Sequence, residues 1–197
     1  RGMIFSFTGA PSHAAYPENG RNPGFAAARF IAALPELANR FRCRGLMVTL
    51  IGANIGTKAF GSAAGSAEVW LTLRAWHEED LNLLLSSVEE RALYEASRDG
   101  VDMTFSSCDT FPATVNDPAT LERVRNICSE VGLDYIEMPE PFRWSEDFGY
   151  YGLGAKAVMV GIGAGLDWPQ LHTKNYIFND NIIPVALRLF SALTKSG

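Results

Sequence analysis

Glu68-Val69-Trp70-Leu71-Thr72-Leu73-Arg74-Ala75-Trp76 alternates along its whole length. Val69, Leu71, Leu73 and Ala75 fall on one side and Trp70, Thr72, Arg74 and Trp76 on the other, the period-two pattern of a half-buried strand. A helical pattern follows from about Glu79 to Arg98, where Leu81, Leu84, Leu85, Val88, Ala92 and Ala96 form one stripe. Acids occupy its first turn, Arg98 its last, and Gly100 terminates it. Val101, Met103 and Phe105 then alternate again as a strand. Arg74 is thereby fixed on a defined strand face.

Working back toward the start, Met3, Phe5 and Phe7 share one side of an opening strand. Asn22-Pro23 supplies an N-cap and a first-turn proline, and Phe30, Leu34, Leu37 and Phe41 recur at helical spacing. Pro35 is expected to bend or end that helix early. Leu46-Met47-Val48-Thr49-Leu50-Ile51 reads as a buried strand. The order strand, helix, strand, strand, helix, strand is the split βαβ of a ferredoxin-like sandwich, one sheet with two helices on one face, over residues 1–110.

Residues 111–197 are composed differently. Asp117-Pro118 starts a helix with Leu121, Val124, Cys128 and Val131 inward and Gly132 at its end. Asp134 to Met138 is a short strand candidate, and Ala157-Val158-Met159-Val160-Gly161 a buried one of parallel-sheet type. Ser145 is an expected N-cap for a short helix with Glu146 and Asp147 in its first turn. The last helix runs from about Asn181, with Ile183, Leu187, Phe190 and Thr194 in line. Two strand candidates for three helices are too few for a closed α/β sheet, so this part reads as an incomplete α/β domain. The abrupt strand at residue 3 gives the same expectation of a chain cut from something longer.

The composition narrows the function classes. The 197 residues are 47% hydrophobic and 20% charged, within the globular range and outside disordered or collagen-like classes. Net charge is −5 and the 17 Lys and Arg residues are scattered, which excludes a nucleic-acid partner. No apolar run approaches the roughly 20 residues that span a bilayer, so no membrane partner is expected. Cys43, Cys108 and Cys128 are odd in number and form no C-x-x-C pair, which fits a reducing, cytoplasmic location.

The chemistry-bearing residues are few. Of three histidines, His77 follows the Arg74 strand beside two glutamates and reads as solvated surface. His13 lies in the turn-rich loop Gly9-Ala10-Pro11-Ser12-His13-Ala14-Ala15-Tyr16-Pro17, where functional side chains tend to sit. His172 lies between the last strand candidate and the last helix, on the side of an open sheet where ligands bind. Gly161-Ile162-Gly163-Ala164-Gly165 has the wrong spacing for a dinucleotide turn; it reads as a tight loop whose backbone, Gly163 included, approaches a ligand or the neighbouring histidine. Gly61-Ser62-Ala63-Ala64-Gly65 is not a nucleophile elbow, because its serine is one place early. Glu146-Asp147 reads equally as an acid/base or ligand pair and as dipole-favoured helix acids. No metal motif is present by spacing, so any metal site has to be assembled in space.

Five segments, in order, carry a resemblance. Gly9 to Pro17 is similar to G-x-x-x-H-A-A-x-P, Thr57 to Trp76 to T-x-A-F-N followed by E-x-x-x-T-[LI]-R, and Phe111 to Asp117 to Y-P-x-T-x-N-D. Ser145-Glu146-Asp147-Phe148 and Leu171 to Asp180 complete the set. The chain resembles the dinuclear-metal amidohydrolases and peptidases that include aminoacylases and glutamate carboxypeptidases, most closely the branch acting on N-acyl amino acids, aminobenzoyl-glutamate or auxin conjugates. The resemblance implies a ferredoxin-like lid that forms a homodimer, then the final third of a catalytic domain with two divalent metals, zinc or else manganese, cobalt or nickel. It implies that His13 donates to the oxyanion in the partner subunit's site, that Arg74 binds the substrate carboxylate, and that His172 is the last metal ligand. The other ligands and the catalytic glutamate pair would precede Arg1, leaving this chain inactive alone. Gly61 replaces the family's substrate-holding asparagine. The alternative from a different class is a non-catalytic ferredoxin-like dimerisation or binding module.

Overall fold

A computed structural model describes residues 1–41 and 45–195. Cys43 lies outside the described residues; Cys108 and Cys128 are free thiols, exposed and buried respectively. The chain divides into two units, Arg1–Ala113 and Thr114–Gly197.

The first unit runs β1 (Gly2–Thr8), α1 (Gly24–Arg40), β2 (Met47–Ile55), β3 (Ser66–Arg74), α2 (Glu78–Arg98) and β4 (Asp102–Cys108). Its strands form one sheet in the order β2-β3-β1-β4, every neighbouring pair antiparallel. This is the βαββαβ sandwich expected from the alternation of Glu68 to Trp76 and its flanks. The inward sets meet as the pattern requires. Met3, Phe5 and Phe7 of β1 and Val69, Leu71 and Leu73 of β3 are essentially fully buried against Phe30, Leu34 and Leu37 of α1 and Leu84, Val88 and Ala92 of α2. The Phe30 ring lies 5.0 Å from Phe5 and 5.9 Å from Phe7, tilted in the manner aromatic pairs favour.

Two expectations for this unit are corrected. Helix α1 neither ends nor breaks at Pro35 but runs to Arg40. Pro35 is on the exposed side, so the carbonyl it leaves without a donor is not sealed in the core, and buried Leu34 and Leu37 hold the helix on both sides. Strand β2 is not buried: it is a sheet edge with Leu50 and Ile51 43% and 61% exposed. A bulge between Leu50 and Gly52 changes its side-chain parity, and Gly52 lies under the Trp70 ring, 3.0 Å from where a Cβ would stand.

A feature that hydrophobic periodicity does not reveal joins the two helices. Glu95 of α2 is fully buried. Its carboxylate accepts from Arg29 Nε of α1 at 2.8 Å and pairs with Arg91 at 2.9 Å and Arg98 at 3.1 Å; Arg29 also bonds Asp99 at 2.8 Å. Burial pushes the Glu95 carboxyl up, but the Arg29 hydrogen bond and the charges of Arg91 and Arg98 outweigh it, and its pKa lies below the ordinary value.

The second unit contains α3 (Pro118–Glu130), α4 (Gly149–Gly152) and α5 (Ile183–Lys195). Asp117 caps α3, its carboxylate accepting from the Thr120 amide at 2.8 Å and the Thr120 hydroxyl at 2.7 Å, and Pro118 occupies the first turn. Neither strand candidate is a strand, and no strand occurs among the described residues of this unit. Asp134 to Met138 is irregular, with Ile136 80% exposed. Ala157 to Gly161 has no regular secondary structure and no strand neighbour; the Asn116 side chain donates to the Met159 carbonyl at 3.1 Å and accepts from its amide at 2.9 Å. The short helix begins after Phe148, so Glu146 and Asp147 precede it and do not fill its first turn. On α5 the expected stripe points outward: Ile183, Leu187 and Phe190 are exposed, whereas Leu189 packs with Val124, Ile127 and Cys128. The helix has apolar residues around most of its circumference, so periodicity alone does not select the buried side.

The buried Glu95 cluster generates a prediction. Glu95→Gln at neutral pH is expected to destabilise the chain by about 2 kcal/mol, below the usual range for a broken buried pair because the three arginines keep part of their surface in water. Because the folded pKa is depressed, the native chain should lose this stability as pH falls through that value, and Glu95→Gln should flatten the acid limb. Urea denaturation across pH checks both.

Candidate active site

The His13 loop is an extension of the sheet. The β1–β3 ladder ends at Thr8 opposite Ser66, and the Gly9 amide donates onward to the Gly65 carbonyl at 2.9 Å. Further out His13 pairs with Ser62: the Ala14 amide donates to the Gly61 carbonyl at 3.0 Å and the Ala63 amide to the Ser12 carbonyl at 2.8 Å. On the other side Ala10 and Arg21 exchange two backbone bonds of 2.9 and 2.8 Å. Gly65 is required here, since a Cβ would stand 2.7 Å from Pro11.

The turn closes with the Tyr16 amide donating to the His13 carbonyl at 2.9 Å, and within it the Ala15 amide donates to His13 Nδ1 at 3.1 Å. A nitrogen that accepts from an amide carries no proton, so the neutral ring carries its hydrogen on Nε2. His13 is exposed, with the Tyr16 ring 5.9 Å away. The loop therefore presents a hydrogen-bond donor from a defined tautomer.

Arg74 lies at the far end of the same sheet. It is the last residue of β3, opposite Met47, and partly buried. Eight residue steps from Ser66 to Arg74 span about 27 Å of strand, and the His13 loop leaves from the Ser66 end. The structure does not bring His13 and Arg74 together. One small substrate cannot touch both within one copy of this unit.

In the second unit His172 is exposed and has φ 65°, the left-handed region that a non-glycine side chain seldom enters. Its loop is braced by Trp168 Nε1 donating to the Ile177 carbonyl at 2.8 Å and Asn179 Nδ2 donating to the Ala164 carbonyl at 2.9 Å. At Gly163 a Cβ would meet nothing within 4 Å. The glycines this backbone needs are Gly165, with φ 119°, and Gly161, whose Cβ would lie 3.0 Å from the Phe142 ring. Glu146 and Asp147 are exposed, and Asp147 contributes its carbonyl to the turn at Tyr150. Among the described residues no group of three or more His, Cys, Asp and Glu is placed to hold a metal ion. One imidazole does not make a dinuclear centre, so the residues present do not by themselves fit the metal pair that the resemblance implies.

The residues missed from sequence are backbone groups: the Ala15 amide and the Gly61–Gly65 main chain. Side-chain chemistry gives no signal for either.

The model of peptidase family M20/M25/M40 matches residues 16–196, and the chain belongs to this family. An uncharacterized hydrolase of Staphylococcus aureus is 24% identical over 199 residues, covering 98% of this chain and 52% of the relative. The chain thus spans about half the length of the curated relatives it matches. Among solved structures, one from methicillin resistant Staphylococcus aureus has a TM-score of 0.63 at 22% identity over 77% of this chain and 40% of that one. An aminobenzoyl-glutamate utilization protein from Klebsiella pneumoniae has 0.58 at 20% identity over 70% and 36%. At these identities the structures establish shared fold.

The left-handed backbone at His172 is testable in this chain. His172→Gly is expected to be more stable than His172→Ala by about 1 kcal/mol, because only glycine enters that region without a Cβ penalty. Equal unfolding midpoints in urea would contradict the assigned conformation.

Proposed function

We propose that the chain is the lid and part of the catalytic domain of a homodimeric, metal-dependent amidohydrolase that cleaves the amide bond of N-acyl amino acids, related conjugates of the aminobenzoyl-glutamate type, or peptides. Family membership supports hydrolytic chemistry of this kind. The observation that supports the reading is the placement of His13 and Arg74 at opposite ends of one sheet. His13 offers Nε2–H to a developing oxyanion, a contact worth about 3 kcal/mol of barrier when well aimed. Arg74 offers the planar fork of donors that suits a substrate carboxylate. With roughly 27 Å of strand between them, each lid would serve two sites, its own with one end and its partner's with the other.

His172 contributes one metal ligand in this reading, and Gly163 lies in the adjoining loop, where its backbone approaches substrate. The remaining ligands and the proton-transfer group come from outside this chain, so no catalytic step is assigned to the metals here. Gly61 leaves open space at the loop tip beside His13, where the family's asparagine would stand. Substrate preference is therefore not carried over from relatives with the asparagine. No described helix is long and apolar enough to cross a membrane. The free thiols of Cys108 and Cys128 are compatible with the reducing, cytoplasmic setting proposed from the cysteine pattern.

Three experiments test this reading. The 197-residue chain alone is expected to bind zinc weakly and to release no amine from N-acyl amino acids; robust turnover would contradict the division of the site. In a protein joining this chain to the half of the family's length that it does not span, His13→Ala should lower kcat about a hundredfold with metal content intact. Co-refolding the inactive His13→Ala and Arg74→Ala proteins should restore about a quarter of native activity, because half the dimers are mixed and each holds one complete site. Absence of complementation, with both variants dimeric, would favour the non-catalytic module or a site formed within one copy.

A further inference from the structure

We infer that the β2–β3 loop and the Ala15 amide are the positioning elements of His13, together fixing both where its ring stands and which nitrogen carries the proton. This deepens the proposed oxyanion role, and its catalytic meaning rests on that reading. The first component is placement. An exposed loop of small residues has no core to hold it, yet the His13 segment is held at three successive points by backbone bonds to Gly61, Ala63 and Gly65. These prolong the β1–β3 pairing beyond the sheet, so the register that buries Phe5 and Phe7 also sets the height of His13. Gly65 permits the approach because its missing Cβ leaves room for Pro11.

The second component is the tautomer. Ala15 is two residues from His13 and donates its amide to Nδ1 across the turn that the Tyr16 amide closes. A ring with Nδ1 so engaged has Nε2–H as its remaining donor, directed away from the turn. Release of the loop from the β2–β3 segment would free the ring to rotate and to exchange tautomers. Gly61→Asn, in contrast, adds a side chain into open space and leaves the carbonyl that accepts from Ala14 in place.

The test uses the 197-residue chain with 15N-labelled histidines, of which there are only three. Above the imidazole titration range, the His13 ring nitrogens should report an Nε2–H to Nδ1–H ratio about fivefold above that of exposed His77, the factor set by one net hydrogen bond of ordinary strength. Gly65→Ala should drive the two loops apart and bring His13 to the His77 ratio, while Gly61→Ala, where a Cβ meets nothing within 4 Å, should leave it at the native value. Should Gly65→Ala fail to fold, an ester in place of the Ala15 amide removes the donor without adding an atom. It can be introduced by ligating a synthetic N-terminal segment at Cys43, and it should produce the same loss. A native His13 ratio equal to that of His77, or one unmoved by the ester, would overturn the inference. The readout needs no turnover: a hydrolytic reading that fails leaves the positioning intact, and a tautomer result that fails leaves hydrolysis to be judged by its own assay.

Discussion

The antiparallel register of β1 on β3 is the constraint on which the rest depends. Phe5 opposite Val69 and Phe7 opposite Ala67 put Phe5, Phe7 and the alternating apolar set of β3 on the helix-covered face. A shift of one residue would turn every one of them to the other side, so burial selects this pairing strongly. The same register brings Thr8 level with Ser66 and starts the loop-to-loop pairing that carries His13. It also sends Arg74 to the far end. Core packing and site geometry are thus two consequences of one alignment.

The first unit was largely legible because its strands bury one face. Alternation in residues 3–7 and 69–73, and the α2 stripe, correspond to the observed core almost residue for residue. The edge strand β2 resembles a buried central strand in its apolar composition, and composition does not report position in the sheet. The second unit was less legible. Val158 and Val160 are partly buried, yet strand identity requires a neighbour, and here Asn116 supplies the hydrogen bonds that a strand would. On α5 the apolar arc is wider than one packing contact, and tertiary contacts put Leu189, Ala192 and Leu193 on the packed side.

For the candidate site, sequence singled out His13, Arg74 and His172 as residues with chemistry to offer. Their relation in space was not readable, because His13 follows β1 and Arg74 ends β3, strands that are neighbours in the sheet but antiparallel, so the pairing keeps the two residues at opposite ends. Glu95 shows the complementary limit. Its place on α2 looks like one more helical glutamate, but it is the buried anchor of three arginines. That ionic clasp joins α1 to α2, while the apolar core packs both helices on the sheet that carries the candidate groups.

The unit Arg1–Ala113 holds its two candidate groups too far apart to share a substrate. Spin labels at Ala15 and His77, on the chain with its cysteines replaced by alanine, measure this by pulsed electron resonance. The account predicts a single distance of roughly 30 Å, set by the length of β3. A distance below about half that value would place the His13 loop back over the Arg74 end and contradict it.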